Sequence, residues 1–146
     1  MLSSAAGPDQ VDNATIIRVP AAATGVEEAR TALDGFCAAH RIPAAEAWRL
    51  KVSLDEALSN VVRHGPESSR GEVSIGMRLD AGAVELTVSD GGPAFNPLDV
   101  QPPDRTGGLE ARTPGGLGIV LVRALMDDVE YARRDGLNVL TMRKRL

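Results

Sequence analysis

The sequence predicts a two-layer α/β (α+β) sandwich: a mixed, mainly antiparallel sheet with helices on one face. Three observations carry this. Helical and alternating patterns do not interleave, because the order reads β-α-α-β-β-loop-α-β-β, whereas a doubly wound nucleotide fold would alternate them. Two pairs of alternating segments are joined by turns so short that the strands must run antiparallel. Apolar residues make up 43% of 146, enough for the core of a single domain.

Residues 1 to about 13 are small and polar, and are expected to be a disordered tail before one domain spanning 14–146. "ATIIRVP" reads as a short strand stopped by Pro20. Thr24 and Glu27 have the spacing of a capping box. Val26, Ala29, Leu33, Phe36 and Cys37 then recur at helical spacing to about His40. After Pro43 a long helix is expected from Ala44 to His64, closed by Gly65-Pro66. Its apolar face is Ala47, Leu50, Leu54, Ala57, Leu58 and Val61. The period then drops to two: Val73, Ile75, Met77 and Leu79 alternate with polar residues, as do Val84, Leu86 and Val88, with "DAGA" turning between them. Residues 90–116 form a Gly/Pro-rich stretch without periodicity, a length typical of functional lids. A third helix is expected from about Gly116 to Met126. Two last strands, 128–134 and 137–145, flank Asp135-Gly136, a two-residue hairpin signal.

Bulk composition excludes several functions. The net charge of −4 argues against non-specific nucleic-acid binding and against a membrane-surface protein, both of which favour a basic face. Aromatics at 3% are too few for a base-stacking platform. The single Cys37 allows no internal disulfide framework and no Cys-rich zinc site. "MLSSAAGPDQ" lacks the basic start and apolar core of a signal peptide, and no apolar run approaches a membrane span. The expectation is a cytoplasmic protein.

Three segments carry candidate chemistry. In "SLDEALSNVVRHG", Glu56 and Asn60 fall one helical turn apart on one face, with Ser53 and His64 near the same stripe. That spacing also suits a solvated helix face. In "SDGGPAFNP", Asp90 stands at a strand end, where a carboxylate can accept from an exocyclic amine. Gly92 would let a flat ring approach the backbone, and Phe95 and Pro97 would anchor the loop. Asp-Gly-Gly-Pro is equally a good turn. In "TPGGLGIVLVRALMDDV", Gly115, Gly116 and Gly118 run into a helix start, where backbone N–H groups and the helix dipole favour phosphate. No Lys-Ser/Thr follows, so this is not a P-loop. Taken together, an amide oxygen suited to a hard cation, an amine-reading carboxylate, a polyphosphate cradle and a nearby carboxylate describe a Mg-ATP site with a general base attached.

At this point the chain resembles the gyrase/chaperone/histidine-kinase/mismatch-repair (GHKL) ATPase superfamily. "DEALSNVVRHG" is similar to its N box, "DGGPAFNP" to its G1 box and "GGLGIVLVRALMDDVEY" to its G2 box, in the same order, with the match running from Ile16 to Lys144. Within it, the short length and "GGLG…ALMD" look most like the anti-sigma-factor serine/threonine kinases. The resemblance implies a Bergerat-type sandwich in which Asn60 binds Mg²⁺ and Glu56 is the catalytic base. It implies that Asp90 takes the adenine amino group and Gly92 shapes that pocket. Gly116, Leu117 and Gly118 would sit on the phosphates, Arg112 would reach the γ-phosphate, and Leu98 to Pro114 would be the ATP lid. The implied substrate is a serine on a STAS-fold anti-anti-sigma protein, with a sigma factor as second partner and a homodimer as a common state.

One departure stands out. The family commonly has Gly-Thr in the last hairpin, the Thr helping to hold the adenine site; here the pair is Gly136-Leu137, and Asn138 and Thr141 are the candidates to take over. Rival readings are a nucleotide-gated binding module without phosphotransfer and a histidine-kinase fragment. The latter needs a phosphoacceptor helix pair, and the only histidines, His40 and His64, sit at the ends of helices the sandwich itself uses. The presence of Glu56 favours the kinase.

Overall fold

The computed structural model describes residues 10–11, 14–64, 71–99 and 116–146. The strands are β1 (Gln10–Val11), β2 (Ala14–Pro20), β3 (Glu72–Asp80), β4 (Ala83–Asp90), β5 (Asp128–Arg134) and β6 (Leu137–Arg145). The helices are α1 (Ala23–Ala39), α2 (Ala44–His64) and α3 (Gly116–Leu125), with a 3-10 turn at Pro97–Asp99. One sheet runs in the order β1-β2-β3-β4-β6-β5, and every described pair is antiparallel. The parallel component that a mixed sheet allows is absent among the described residues.

Period-two patterning decides which face is covered. Val73, Ile75 and Met77 on β3, Leu86 and Val88 on β4, and Leu140 and Met142 on β6 are buried in one cluster with Ala29, Leu33, Leu50, Leu54 and Leu58 from the helices. The alternate residues, such as Ser74, Thr87 and Thr141, lie on the other, helix-free face and are only partly covered. The helices therefore pack as a single layer on one side, as the apolar stripes predict. Both hairpins use the expected turns: Ala81-Gly82 (φ 51° and 74°) and Asp135-Gly136 (φ 51° and 79°) are left-handed at both central residues, the form that matches strand twist.

Two expectations need correction. Thr24 does not cap α1; the helix begins one residue earlier, Ala22 is the N-cap, and no side chain caps it. The close approach of Gly25 to Pro20 explains this, since a Cβ on Gly25 would overlap the Pro20 carbonyl oxygen. Tertiary packing sets the entry angle here, and a local capping box has no part in it. The tail is also shorter than expected, because Gln10 and Val11 pair with Thr15 and Ala14 at the sheet edge. Gly65, expected to close α2, lies outside the described residues.

The end of α3 is fixed to the last strand. The Asp127 N–H donates to the Arg143 carbonyl at 2.9 Å, and its carboxylate accepts from the Arg145 N–H at 2.6 Å and from Lys144 Nζ at 3.1 Å. These donors, the Arg145 amide first, hold the Asp127 carboxyl below its usual range.

Candidate active site

The polar stripe on α2 is deeper than the margin position its sequence suggests. Ser53 is fully buried and Asn60 is 7% exposed, while Glu56 is half-buried. Asn60 Oδ1 accepts from Arg63 Nη2, one turn on, at 3.0 Å. That bond satisfies and orients a carboxamide which burial would otherwise penalise.

Across from α2, β4 ends at Asp90, 6% exposed. The register sets Asp90 opposite Asn138 on β6. Asp90 Oδ2 accepts from the Gly92 N–H at 2.9 Å and from Asn138 Nδ2 at 3.3 Å. Its second oxygen has no protein donor among the described residues, and Asp90 lines a small cleft between α2 and the sheet. Ala57, Asn60, Val61 and His64 form the α2 wall of that cleft; Val88, Leu140 and Tyr131 form its sheet side, and Phe95 and Pro97 close one end. His64 stacks on Phe95 with ring centroids 4.4 Å apart. The cleft is narrow and mostly apolar with one carboxylate at its base, which suits a flat heteroaromatic ring carrying an amino group.

Asn138 is the hub of this end. Its Oδ1 accepts from the Phe95 N–H at 3.1 Å and from the Tyr131 hydroxyl. Its Nδ2 donates to the Pro93 carbonyl at 2.8 Å and to Asp90. Arg133 Nη1 donates to the Gly92 carbonyl at 2.9 Å. The turn after Asp90 is thus held from both β5 and β6. Of the two residues that could answer for Leu137, Thr141 lies on the open face of the sheet between buried Leu140 and Met142, and Asn138 is the one in contact with Asp90. Leu137 itself is 41% exposed.

At the opposite end of α2's stripe, α3 opens at Gly116 with Gly118 as its third residue. The Glu56 side chain lies directly against Gly118. A helix start and a carboxylate therefore meet one turn along α2 from Asn60, and Glu56 is not among the residues that line the Asp90 cleft. Arg112, Gly115 and the lid from Val100 to Pro114 lie outside the described residues. The expected lid start at Leu98 is corrected: Leu98 packs against the core, its N–H donates to Asn96 Oδ1 at 2.9 Å and its carbonyl accepts from Arg123 at 3.4 Å, so it belongs to the rigid body.

Sequence reasoning missed Tyr131, Arg133, Arg63 and the His64–Phe95 stack. Tyr131 had a signal: the only tyrosine, at an inward position of a strand, needs a partner for its hydroxyl. Arg63 had one too, three residues from a buried Asn on a helix. The Arg133 contact crosses between elements and has no local signature.

The donor set limits the metal. No cluster of three or more His, Cys, Asp or Glu side chains exists among the described residues, which does not suit zinc. One neutral amide oxygen, one helical turn from the contact with a helix start, does fit Mg²⁺, which takes few protein ligands and completes its shell with phosphate and water oxygens.

A one-sided antiparallel sandwich, with a buried carboxylate at the end of β4 and a glycine-started helix packed against α2, has the layout of a sandwich-type ATPase domain. The chain belongs to the histidine kinase-like ATPase domain family, whose pattern matches residues 19–144. Within that family it groups with the RsbW/BtrW serine kinases. It is 33% identical over 121 residues to the serine/threonine-protein kinase BtrW of Bordetella bronchiseptica, covering 78% of this chain and 85% of that one. It is 29% identical over 133 residues to the serine-protein kinase RsbW of Bacillus mycoides, covering 85% and 80%. Among solved structures, the RsbU and RsbW domains of a Mycobacterium tuberculosis protein superpose with a TM-score of 0.68 at 18% identity, over 91% of this chain and 32% of that longer one. The fold likeness agrees with the one-sided sheet described above.

Proposed function

We propose that this protein is a Mg-ATP-dependent serine kinase that phosphorylates a serine of a STAS-fold anti-anti-sigma protein, and that a sigma factor is its second partner. The observation that carries the reading is the contact between Glu56 and the start of α3, one helical turn from Asn60, which lines the Asp90 cleft. A nucleotide with its adenine amine on Asp90 and its polyphosphate toward α3 brings its γ-phosphate to the only end of the stripe that holds a carboxylate. The serine kinases among its relatives support the same chemistry.

Each side chain then has a task. Asp90 accepts the adenine amine and would face the carbonyl oxygen of guanine, which selects ATP. Asn138 keeps that carboxylate and the following turn in place. The backbone N–H groups at Gly116, Leu117 and Gly118 favour phosphate. Asn60 would hold Mg²⁺ by its amide oxygen in exchange for the Arg63 bond, and the cation would supply charge compensation for the phosphate oxygens. The substrate serine oxygen attacks the γ-phosphorus, the bond to the β,γ-bridging oxygen breaks, ADP leaves, and Glu56 takes the hydroxyl proton. No helix among the described residues is long and apolar enough to cross a membrane, in keeping with a cytoplasmic switch protein.

The test is transfer of labelled phosphate from ATP and from GTP to a serine of candidate STAS proteins, beside calorimetry of both nucleotides with Mg²⁺. Transfer from ATP, with GTP bound much more weakly, is expected. Tight Mg-ATP binding without transfer to any candidate would favour a nucleotide-gated binding module.

A further inference from the structure

We propose that Gly118 is a positioning residue for Glu56: its missing side chain keeps open the space in which the Glu56 carboxylate lies, and so fixes the base beside the phosphate-facing end of α3. The inference rests on the reading of Glu56 as the base, and goes beyond the role of Gly118 as a phosphate contact.

The argument begins with what a side chain at 118 would meet. A Cβ built there would overlap Glu56 Oε2 and stand 3.2 Å from Cδ and 3.7 Å from Cβ of the same residue. All three nearest atoms belong to that one side chain, and none is backbone. Gly25 gives the opposite case, since its Cβ would overlap the Pro20 carbonyl and stand 2.9 Å from Pro20 C, which only a backbone shift can relieve. An alanine at 118 is therefore accommodated by rotating Glu56, with α2 and α3 left in place. Gly118 is also the third residue of a ten-residue helix, where glycine is a poor helix former. Local propensity thus argues against glycine at this position, and the room it leaves for Glu56 argues for it.

Position matters for this carboxylate more than for most. No side-chain hydrogen bond or ion pair holds Glu56 among the described residues, in contrast to its neighbour Asp55, which Arg30 grips with two bonds at 3.0 and 3.3 Å. Its orientation comes from the backbone it rests on and from the favourable potential of the helix start. A base displaced by about 1 Å from its acceptor can lose roughly 10²-fold in rate.

The experiment uses the full chain as parent and three variants: Gly118→Ala, Glu56→Asp and the double variant. Each is measured for Mg-ATP affinity, thermal midpoint and single-turnover transfer to the STAS serine. Gly118→Ala should fold, bind Mg-ATP within a few-fold of the parent, and transfer phosphate about 10²-fold more slowly. Glu56→Asp should slow the parent, yet speed the Gly118→Ala protein, because the shorter side chain clears the new methyl. That reversal of sign is a result no loss of phosphate contact produces. Parental rates in Gly118→Ala, or ATP affinity falling as far as the rate, would overturn the proposal, as would equal slowing by Glu56→Asp in both backgrounds. If the parent itself transfers no phosphate, the kinase reading has failed and this proposal with it; parental transfer with an unaffected Gly118→Ala defeats this proposal alone.

Discussion

The two ends of the site are built differently. At the Asp90 end, strand register and a network centred on Asn138 hold the groups before any ligand arrives: Asp90, Pro93, Phe95 and Tyr131 are all tied to that one side chain, and the Gly92 N–H donates to Asp90. At the Glu56 end, the Glu56 side chain lies against Gly118 with no described hydrogen bond, and one turn on Asn60 is held by a single described bond from Arg63 of the same helix. Preformed geometry suits recognition, where a rigid ring must be told from its relatives at little ordering cost. On the proposed function, exchangeable geometry suits the other end, where Arg63 would yield to a cation and phosphate would come and go.

Breaking the exchangeable end should have the largest effect. Asn60→Ala removes the one protein oxygen offered to the cation, so the Mg²⁺-dependent part of ATP affinity should vanish. Loss of one charge-assisted hydrogen bond costs stability only about 1.5–3 kcal/mol, so circular dichroism should still report a folded domain. Calorimetry with and without Mg²⁺ decides it: normal metal-dependent binding would make Asn60 purely structural.

Breaking the preformed end should weaken binding without touching its metal dependence. Asn138→Ala strands the Phe95 amide and the Tyr131 hydroxyl and releases Asp90 Oδ2 from one donor. A stability loss of about 2–3 kcal/mol is expected, with ATP affinity down about tenfold, equivalent to roughly 1.4 kcal/mol, and ATP-over-GTP preference reduced. Unchanged preference in a folded variant would separate Asn138 from adenine recognition.

The smallest effect should come from Ser53, which shares the stripe but touches neither end. Its buried hydroxyl has no partner among the described residues. Ser53→Ala removes an unsatisfied polar group and adds helix propensity, so the thermal midpoint should hold or rise, by the equivalent of at most about 1 kcal/mol. Transfer should be unchanged. A marked loss of transfer would extend the working part of the stripe to Ser53.

The same division explains what the sequence made legible. The hairpins, α2 and the alternation of β3, β4 and β6 were readable because each is decided locally, by period and turn chemistry. Asp90, Asn60 and Glu56 stand out as candidates because each sits at a fixed offset within one element. The start of α1 differs from the capping pattern of Thr24 and Glu27 because the chain folds back at the β2–α1 junction, where Gly25 packs directly on the Pro20 carbonyl. Tyr131 and Arg133 were missed for a related reason: they act on the Asp90 turn from strands some forty residues away, and only register brings them there. Asn138 was named as one of two candidates; the pleat chose between them, since residues three apart on a strand face opposite sides.

The central claim is that Glu56 serves phosphoryl transfer and not binding. Glu56→Gln keeps the shape against Gly118 and removes the basicity. The decisive measurement is single-turnover transfer of labelled phosphate from Mg-ATP to a STAS-protein serine, made on parent and variant beside their ATP affinities. Transfer should fall by roughly 10²–10⁴-fold while Mg-ATP affinity and partner binding stay near parental values. Full transfer by Glu56→Gln would contradict the account and assign the proton to another group.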